Sequence, residues 1–310
     1  MFEGKQYVYE VYKTRSFSRA AENLYISQPS LSAIIKRIEK KTGAPIFDRS
    51  STPLRLTECG EQYIRCIERL MDMENEFGNY LNDLEGLHTG HLSIGGSSLF
   101  ASYILPPLIS DFTKKYPNVG IDLVESTTKQ LEKLLLSGNL DLIIDNYAFP
   151  KTVYERHLFR DEHLLLAVPA VLLNKYKAAV QRLSASDIRA DRHLSDQTKA
   201  IDIRLFQKEN FLLLRPGNDT RERSDLLLKK AGIQHPSAIL QLDQQVTAYH
   251  VACCGLGIAF VTDTLIQHME NDPRIAFFRL NGPEARRSIY FYYKQSRYMT
   301  KAMEAFLALT

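Results

Sequence analysis

"YISQPSLSAIIKRIEKKTGAP", residues 25–45, is the stretch that decides how the chain begins to fold. At 100° per residue, Leu31, Ile34, Ile35 and Ile38 share one side, the apolar stripe of an amphipathic helix. Ser27 suits an N-cap, and Pro29 lies in the first turn, where a missing N–H costs nothing. Gly43 and Pro45 end the helix. Pro29, Ala33, Lys36 and Lys40 then lie opposite the stripe, flanked by Ser32 and Arg37. Such a face is either solvated or shaped for a DNA groove, and spacing alone leaves both readings open. For a groove, small residues near the N-terminus admit the backbone and the lysines reach phosphates. Gln28 has the amide geometry for adenine N6 and N7.

The same period recurs upstream. In "RSFSRAAENLYIS", residues 15–27, Phe17, Ala20, Ala21 and Leu24 form a stripe with Ser16 or Ser18 as cap. Tyr7, Val8, Val11 and Tyr12 give an earlier one. Only Tyr25 to Ser27 separate the second and third helices, the turn length of a helix-turn-helix. "IFDRSSTPLRLT", residues 46–57, reads as a small two-stranded wing. Charge is uneven along the 310 residues. Residues 1–57 hold ten Lys/Arg against five acids, a net +5, whereas the rest holds 29 against 31, a net −2. A basic head suits a polyanion or a solvated face.

Beyond Thr57, Tyr63, Ile67, Leu70, Glu74, Phe77, Leu81 and Leu84 recur every three or four residues to about Leu87. A helix of that length spans about 45 Å, and its heptad seam, interrupted by Glu74, is expected to meet a second copy of itself. From residue 90 strands and helices alternate: "LSIGGS", "YILPPLISDFTKKYP", "GIDLVES", "TKQLEKLLLSG" and "LDLIIDN", then a second set from "HLLLAVP" to "GIAFVTD". Such alternation argues βαβ units and mostly parallel sheets in two lobes. The tail, "IAFFRL" and "SIYFYYK" with a last helix, is expected to return to the first lobe.

"SFSRAAENLYISQPSLSAIIKRIEKKTGAPIFDRSSTPLRLTECG", residues 16–60, closely resembles the N-terminal domain of LysR-type transcriptional regulators. The matches run in order through Ser16-Phe17, Ala20-Ala21, Ser27-Gln28-Pro29-Ser30-Leu31-Ser32, Ile38-Glu39, Gly43, Ile46-Phe47-Asp48-Arg49 and Leu56-Thr57-Glu58-Cys59-Gly60. The resemblance implies an α/β protein overall. Its parts are an all-α winged helix-turn-helix at 1–57, a linker helix at 58–88 and a two-lobed domain at 89–310, similar to type 2 periplasmic binding proteins. Lobe I is expected at about 89–162 and 268–310, and lobe II at about 163–267. The resemblance also implies a homodimer, assembling further into a tetramer, that binds double-stranded promoter DNA.

In that reading Gln28, Pro29 and Ser32 touch bases, with Ser27 and Ser30 near phosphates. Ala33, Lys36, Arg37 and the wing residues Arg49 and Arg55 complete the candidate set, with a structural role for Arg49 as its alternative. Relatives often carry Arg where this chain has Ala33, and another Arg in the wing where it has Thr52, so base preference is expected to differ. In the two lobes, Gly96, Ser97 and Ser98 follow one strand, Thr127 and Thr128 a second, and Pro216 to Asp219, with Pro216 and Asn218 as the candidates, precede a helix at a third. Strand-to-helix junctions of this kind suit an anionic or carboxylate effector, and each residue is equally explained as a helix cap.

Catalytic signatures are absent from the sequence: there is no Gly-x-Ser-x-Gly, His-Glu-x-x-His or Gly-Lys-Thr loop. No enzyme activity, cofactor or metal is expected; the eight histidines are scattered, with His88 and His91 flanking the linker. Asp141 and Asp145 read as solvated strand ends, and Cys59, Cys66, Cys253 and Cys254 as small apolar residues. "MFEGKQYVYEVYK" lacks the apolar core of an export signal and no apolar run reaches membrane length, so a cytoplasmic site without membrane contact is expected. The alternative reading is a cytoplasmic small-molecule-binding protein with no DNA function.

Overall fold

The structure is a computed structural model that describes residues 2–51, 53–84, 90–173, 175–176, 181–234, 236–295 and 297–310. Thr52, His88 and the expected end of the linker helix at 85–88 lie outside them. Two compact units result, one built on residues 1–84 and one on most of 85–310.

The head contains α1 (Lys5–Thr14), α2 (Phe17–Asn23), α3 (Gln28–Thr42), the wing strands β1 (Phe47–Asp48) and β2 (Arg55–Leu56), and α4 (Glu58–Leu84). Ser16 Oγ accepts from Arg19 N and Ser27 Oγ from Ser30 N, so each hydroxyl starts a helix. Gly43, at φ 83°, stops α3 in the left-handed turn that glycine adopts without strain. Ala20 and Ala21 are both buried, and their small size lets α1, α2 and α3 close around Val8, Val11, Leu31, Ile35 and Ile38. Gly60 lies so near the wing that a Cβ there would come within 2.0 Å of the Ile46 carbonyl oxygen.

The linker seam behaves differently at its two ends. Tyr63, Ile64 and Ile67 are buried in the head core, so its first two turns are covered by the protein's own helices. Met73, Phe77 and Leu81 stay exposed. The stripe left for a second copy is therefore the distal half only.

The second unit has two sheets that share one strand. Lobe I runs β4 (Val119–Glu125), β3 (Gly90–Gly96), β5 (Leu142–Asp145), β11 (Arg286–Lys294), β6 (Tyr154–Pro169). Lobe II continues from the second half of β6 to β9 (Ile258–Thr262), β7 (Asn210–Leu214) and β8 (Ser237–Leu242), with β10 (Ile275–Arg279) on the other side of β6. The helices are α5 (Leu105–Lys115), α6 (Thr128–Leu136), α7 (Ala170–Leu173), α8 (Ala185–Arg189), α9 (Asp219–Lys230), α10 (Gln245–Cys253), α11 (Asp263–Ile266) and α12 (Lys301–Leu307). They cover both faces, which is why β5, β7 and β9 are nearly unbroken apolar runs.

The chain returns to lobe I later than residue 268. β10 pairs with Leu165–Pro169, and Ala276, Phe278 and Leu280 join the lobe II core, so the crossing falls near Arg286. Two other expectations are corrected by burial. Asp141 and Asp145 are enclosed: Asp141 Oδ2 accepts from Ser93 N and Oγ, and Asp145 Oδ2 from Thr128 Oγ1. Of the four cysteines only Cys253 is buried, while Cys66 and Cys254 are exposed.

Candidate functional site

In the head, helical phase divides α3 into two faces. Leu31, Ile35 and Ile38 are buried, while Gln28, Pro29, Ser30, Ala33, Lys36 and Arg37 are exposed together with Ser27. Ser32 is half-buried at the boundary. The Ser27 and Ser30 hydroxyls lie 2.7 Å apart and Ser27 already caps the helix, so both side chains serve the fold before any ligand. Gln28 and Pro29 occupy the first turn, where the Gln28 N–H and the helix dipole favour an anion, Pro29 having no N–H and Ser30 N being taken by Ser27.

Arg49 takes the structural role. Its Nη2 donates to Glu39 Oε2 at 3.0 Å and its guanidinium lies 5.1 Å over the Phe17 ring. The other Glu39 oxygen accepts from Ile46 N and Phe47 N at 2.9 and 3.2 Å. Glu39 and Arg49 thereby fasten the wing to α3 and to the start of α2. Arg55 is exposed on β2. Tyr25, which sequence reading did not single out, is 96% exposed at φ 54° in the turn before α3. That αL backbone is the stop of α2, because Ile26 N donates to the Ala21 carbonyl at 3.0 Å and Tyr25 N to the Glu22 carbonyl at 3.1 Å, the pair of bonds that closes a helix on a left-handed residue.

In the second unit a cavity of about 610 Å³ opens between the lobes. Ser97, Thr127, Thr128, Pro216 and Asn218 line it as expected, but Gly96 and Ser98 do not. Gly96 is a packing residue, because a Cβ there would meet Ile144 and Phe100 atoms at 3.1 and 3.2 Å. Caps take up much of the rest. Asn218 Oδ1 accepts from Thr220 N, Thr127 Oγ1 accepts from Gln130 N, and Thr128 Oγ1 donates to Asp145. Burial pushes the Asp145 carboxyl up, against the N–H of Tyr147 and the Thr128 hydroxyl, which pull it down.

The lining carries both signs of charge, and its Asp219 is already paired with Arg223 and Arg287. Glu132, Asp145, Asp219, Glu222 and Asp243 face Lys129 and Arg215, and Arg215 is already paired with Asp243 at 2.9 Å. The helix N-termini attract anions, but the first turn of α9 carries its own acids, Asp219 and Glu222, whereas those of α6 and α10 carry none.

Next to this cavity lies a network that sequence reading missed. Glu162 on β6 and Arg287 on β11 are direct partners across the antiparallel ladder, and Arg287 Nε donates to Glu162 Oε2 at 2.6 Å. Arg287 Nη1 reaches Asp219 Oδ2 and Thr220 Oγ1 of α9, while Asn146 Nδ2 donates to Glu162 from the end of β5. β6 and β11 are thus joined to a residue of each lobe at the cavity.

Known proteins share both halves. Residues 85–310 match the LysR substrate binding domain, and residues 4–61 the bacterial regulatory helix-turn-helix protein, lysR family. An HTH-type transcriptional regulator of Bacillus subtilis strain 168, YcgK, is 27% identical over 307 residues, covering 98% of this chain and 92% of that one. Full-length OxyR from Pseudomonas aeruginosa aligns with a TM-score of 0.69 at 22% identity, covering 98% of this chain and 92% of its own. Full-length CbnR complexed with its target DNA aligns with a TM-score of 0.64 at 19% identity over 100% and 98%. Both structural likenesses are of fold.

Proposed function

The chain belongs to the LysR family of DNA-binding transcriptional regulators, and on that premise we propose which of its surfaces carry the activity. The exposed face of α3 enters the DNA major groove, and the interlobe cavity receives a small effector. One observation carries the first part: α3 is buried along Leu31, Ile35 and Ile38 but leaves Gln28, Pro29, Ala33, Lys36 and Arg37 together in solvent. Gln28 reads a base edge, Pro29 and Ala33 allow close approach, and Lys36 and Arg37 hold phosphates. Ser27 and Ser30 approach phosphates from the cap, Ser32 touches a base, and Arg55 adds a wing contact. Arg49 acts chiefly as the brace of the wing. Ala33 removes a side chain that many relatives use, which shifts base preference.

A second copy meets the distal stripe of α4, giving the dimer that a two-fold DNA site requires, and pairs of dimers form the tetramer. The protein works in the cytoplasm, and no helix among the described residues is long and apolar enough to cross a membrane. It acts by binding, not catalysis.

Salt titration tests the phosphate contacts. Lys36→Ala should weaken binding to every duplex alike and flatten the plot of log affinity against log salt by about one. An unchanged slope would remove Lys36 from the interface.

The effector is a polar molecule bearing a cationic amine. Asp219 is paired with Arg223 and Arg287, Asp243 with Arg215, and burial pushes Asp145 up, so Glu132 and Glu222 against Lys129 support that class over a simple carboxylate. Its binding must favour one lobe arrangement over another, since equal affinity for both would shift nothing. A thermal-shift screen of amines, amino acids and carboxylates separates the classes. An amine at 100 times its dissociation constant should add about 2.7 kcal/mol, and Glu222→Gln should reduce that gain. Stabilisation by carboxylates alone would overturn the assignment.

A further inference from the structure

The eight histidines are scattered in sequence, yet two of them converge with one aspartate in the second unit. His163 Nδ1 lies 3.0 Å and His193 Nε2 3.1 Å from the same oxygen, Asp263 Oδ2. All three donor atoms lie within 4.8 Å of one another. They come from three separate elements: strand β6, the turn at Arg192–Leu194 and the first residue of α11. We propose that His163, His193 and Asp263 form a binding site for one divalent transition-metal ion of the zinc class.

The donor chemistry selects the ion. Two imidazoles and one carboxylate suit zinc, cobalt or nickel, whereas calcium and magnesium take mainly oxygen ligands. The carboxylate is held before any metal arrives, because Asp263 Oδ1 accepts from His163 N at 3.0 Å and from Thr264 N at 2.8 Å. Those two bonds aim Oδ2 at both rings. A metal with ligands at about 2.0–2.2 Å fits such a cluster after small side-chain movements. Each ring then binds through its lone pair, with the hydrogen moved to the other nitrogen.

Access and a vacant coordination position are provided by a cavity of about 660 Å³ whose wall includes all three residues. Arg279 and Arg286 share that wall but are engaged elsewhere, and Arg160 is engaged through one nitrogen, its buried Nε and Nη2 lacking hydrogen-bond partners among the described residues. Arg160 donates to Gln267, Arg279 to the Ser195 and Thr198 carbonyls, and Arg286 pairs with Asp161. His193 Nδ1 is buried without a hydrogen-bond partner among the described residues, so this ligand lacks the usual outer support. The site is therefore weaker than a closed structural zinc site.

Its position gives the ion something to act on. His163 is the β6 residue opposite Arg286 of lobe I, and the next residue, Leu164, pairs with Thr262 of lobe II. A bound ion would tie the strand shared by both lobes to α11 at the crossing itself.

Titration of the full-length protein with zinc against a chromophoric chelator tests the site, with cobalt absorption reporting the geometry. The expected result is one equivalent bound, a visible cobalt spectrum of four- or five-coordinate type, and at least a roughly tenfold weaker site in His163→Gln and Asp263→Asn. His163 is half-exposed, so His163→Gln should keep the fold, as a thermal melt would show. His250→Gln, at an exposed histidine away from the cluster, should change nothing. The proposal is overturned if the wild type binds no ion under these conditions. It is equally overturned if folded His163→Gln and Asp263→Asn bind zinc as the wild type does.

Discussion

Replacing Arg287 by alanine is expected to destabilise the second unit by about 3–5 kcal/mol. The Arg287 side chain is 2% exposed and that of its partner Glu162 is fully buried. Removing the guanidinium leaves the Glu162 carboxylate enclosed, with only Asn146 donating to the oxygen that Arg287 had held. It also takes a donor from Asp219 and from Thr220 at the head of α9. Thermal unfolding of the full-length protein should show the transition of this unit falling by roughly 10 °C, at about 2–4 °C per kcal/mol for a unit of this size. The double variant Arg287→Met with Glu162→Met should recover much of the loss, because breaking one side of a buried pair costs far more than replacing both. If the single variant melts like the wild type, the network is not a structural tie.

Gln28→Ala is expected to weaken binding to the specific DNA site by about 1–3 kcal/mol, or roughly tenfold to a hundredfold, while leaving binding to unrelated duplex unchanged. Gln28 is exposed at the first residue of α3, so its loss should have little effect on the head itself. Ser27 is a poorer probe. Its hydroxyl caps α3, and Ser27→Ala would cost about 0.5–2 kcal/mol of stability whether or not DNA is touched. Lys36→Ala is expected to differ again, because losing a phosphate contact weakens binding to all sequences together. Quantitative binding curves on both duplexes separate the three roles.

The head was legible because its determinants are local. Capping serines, the Gly43 stop, the Ala20–Ala21 pair and the apolar stripes all act within a few residues of the sequence that encodes them. Even the brace of Glu39 on Ile46, Phe47 and Arg49 spans only ten residues. Long-range facts were not legible. Heptad spacing marked the α4 seam, but nothing local said that the head would bury Tyr63 and Ile67. The return to lobe I was misplaced because β10 reads like any strand, and only its pairing with Leu165–Pro169 assigns it to lobe II. Ser97, Thr127 and Asn218 could be found as strand-end caps, but the acids around them converge only through the fold. Glu162 and Arg287, 125 residues apart, meet only through strand register, and His163, His193 and Asp263 only through packing.

The central claim, that the exposed face of α3 distinguishes DNA sequences, is tested most directly by a competition titration. Full-length protein would be partitioned between a duplex from its own upstream region and an unrelated duplex, at one fixed salt concentration, for the wild type and Gln28→Ala. The wild type should prefer the upstream duplex strongly, and Gln28→Ala should lose about tenfold or more of that preference while binding the unrelated duplex equally well. A preference unchanged by Gln28→Ala would contradict the account.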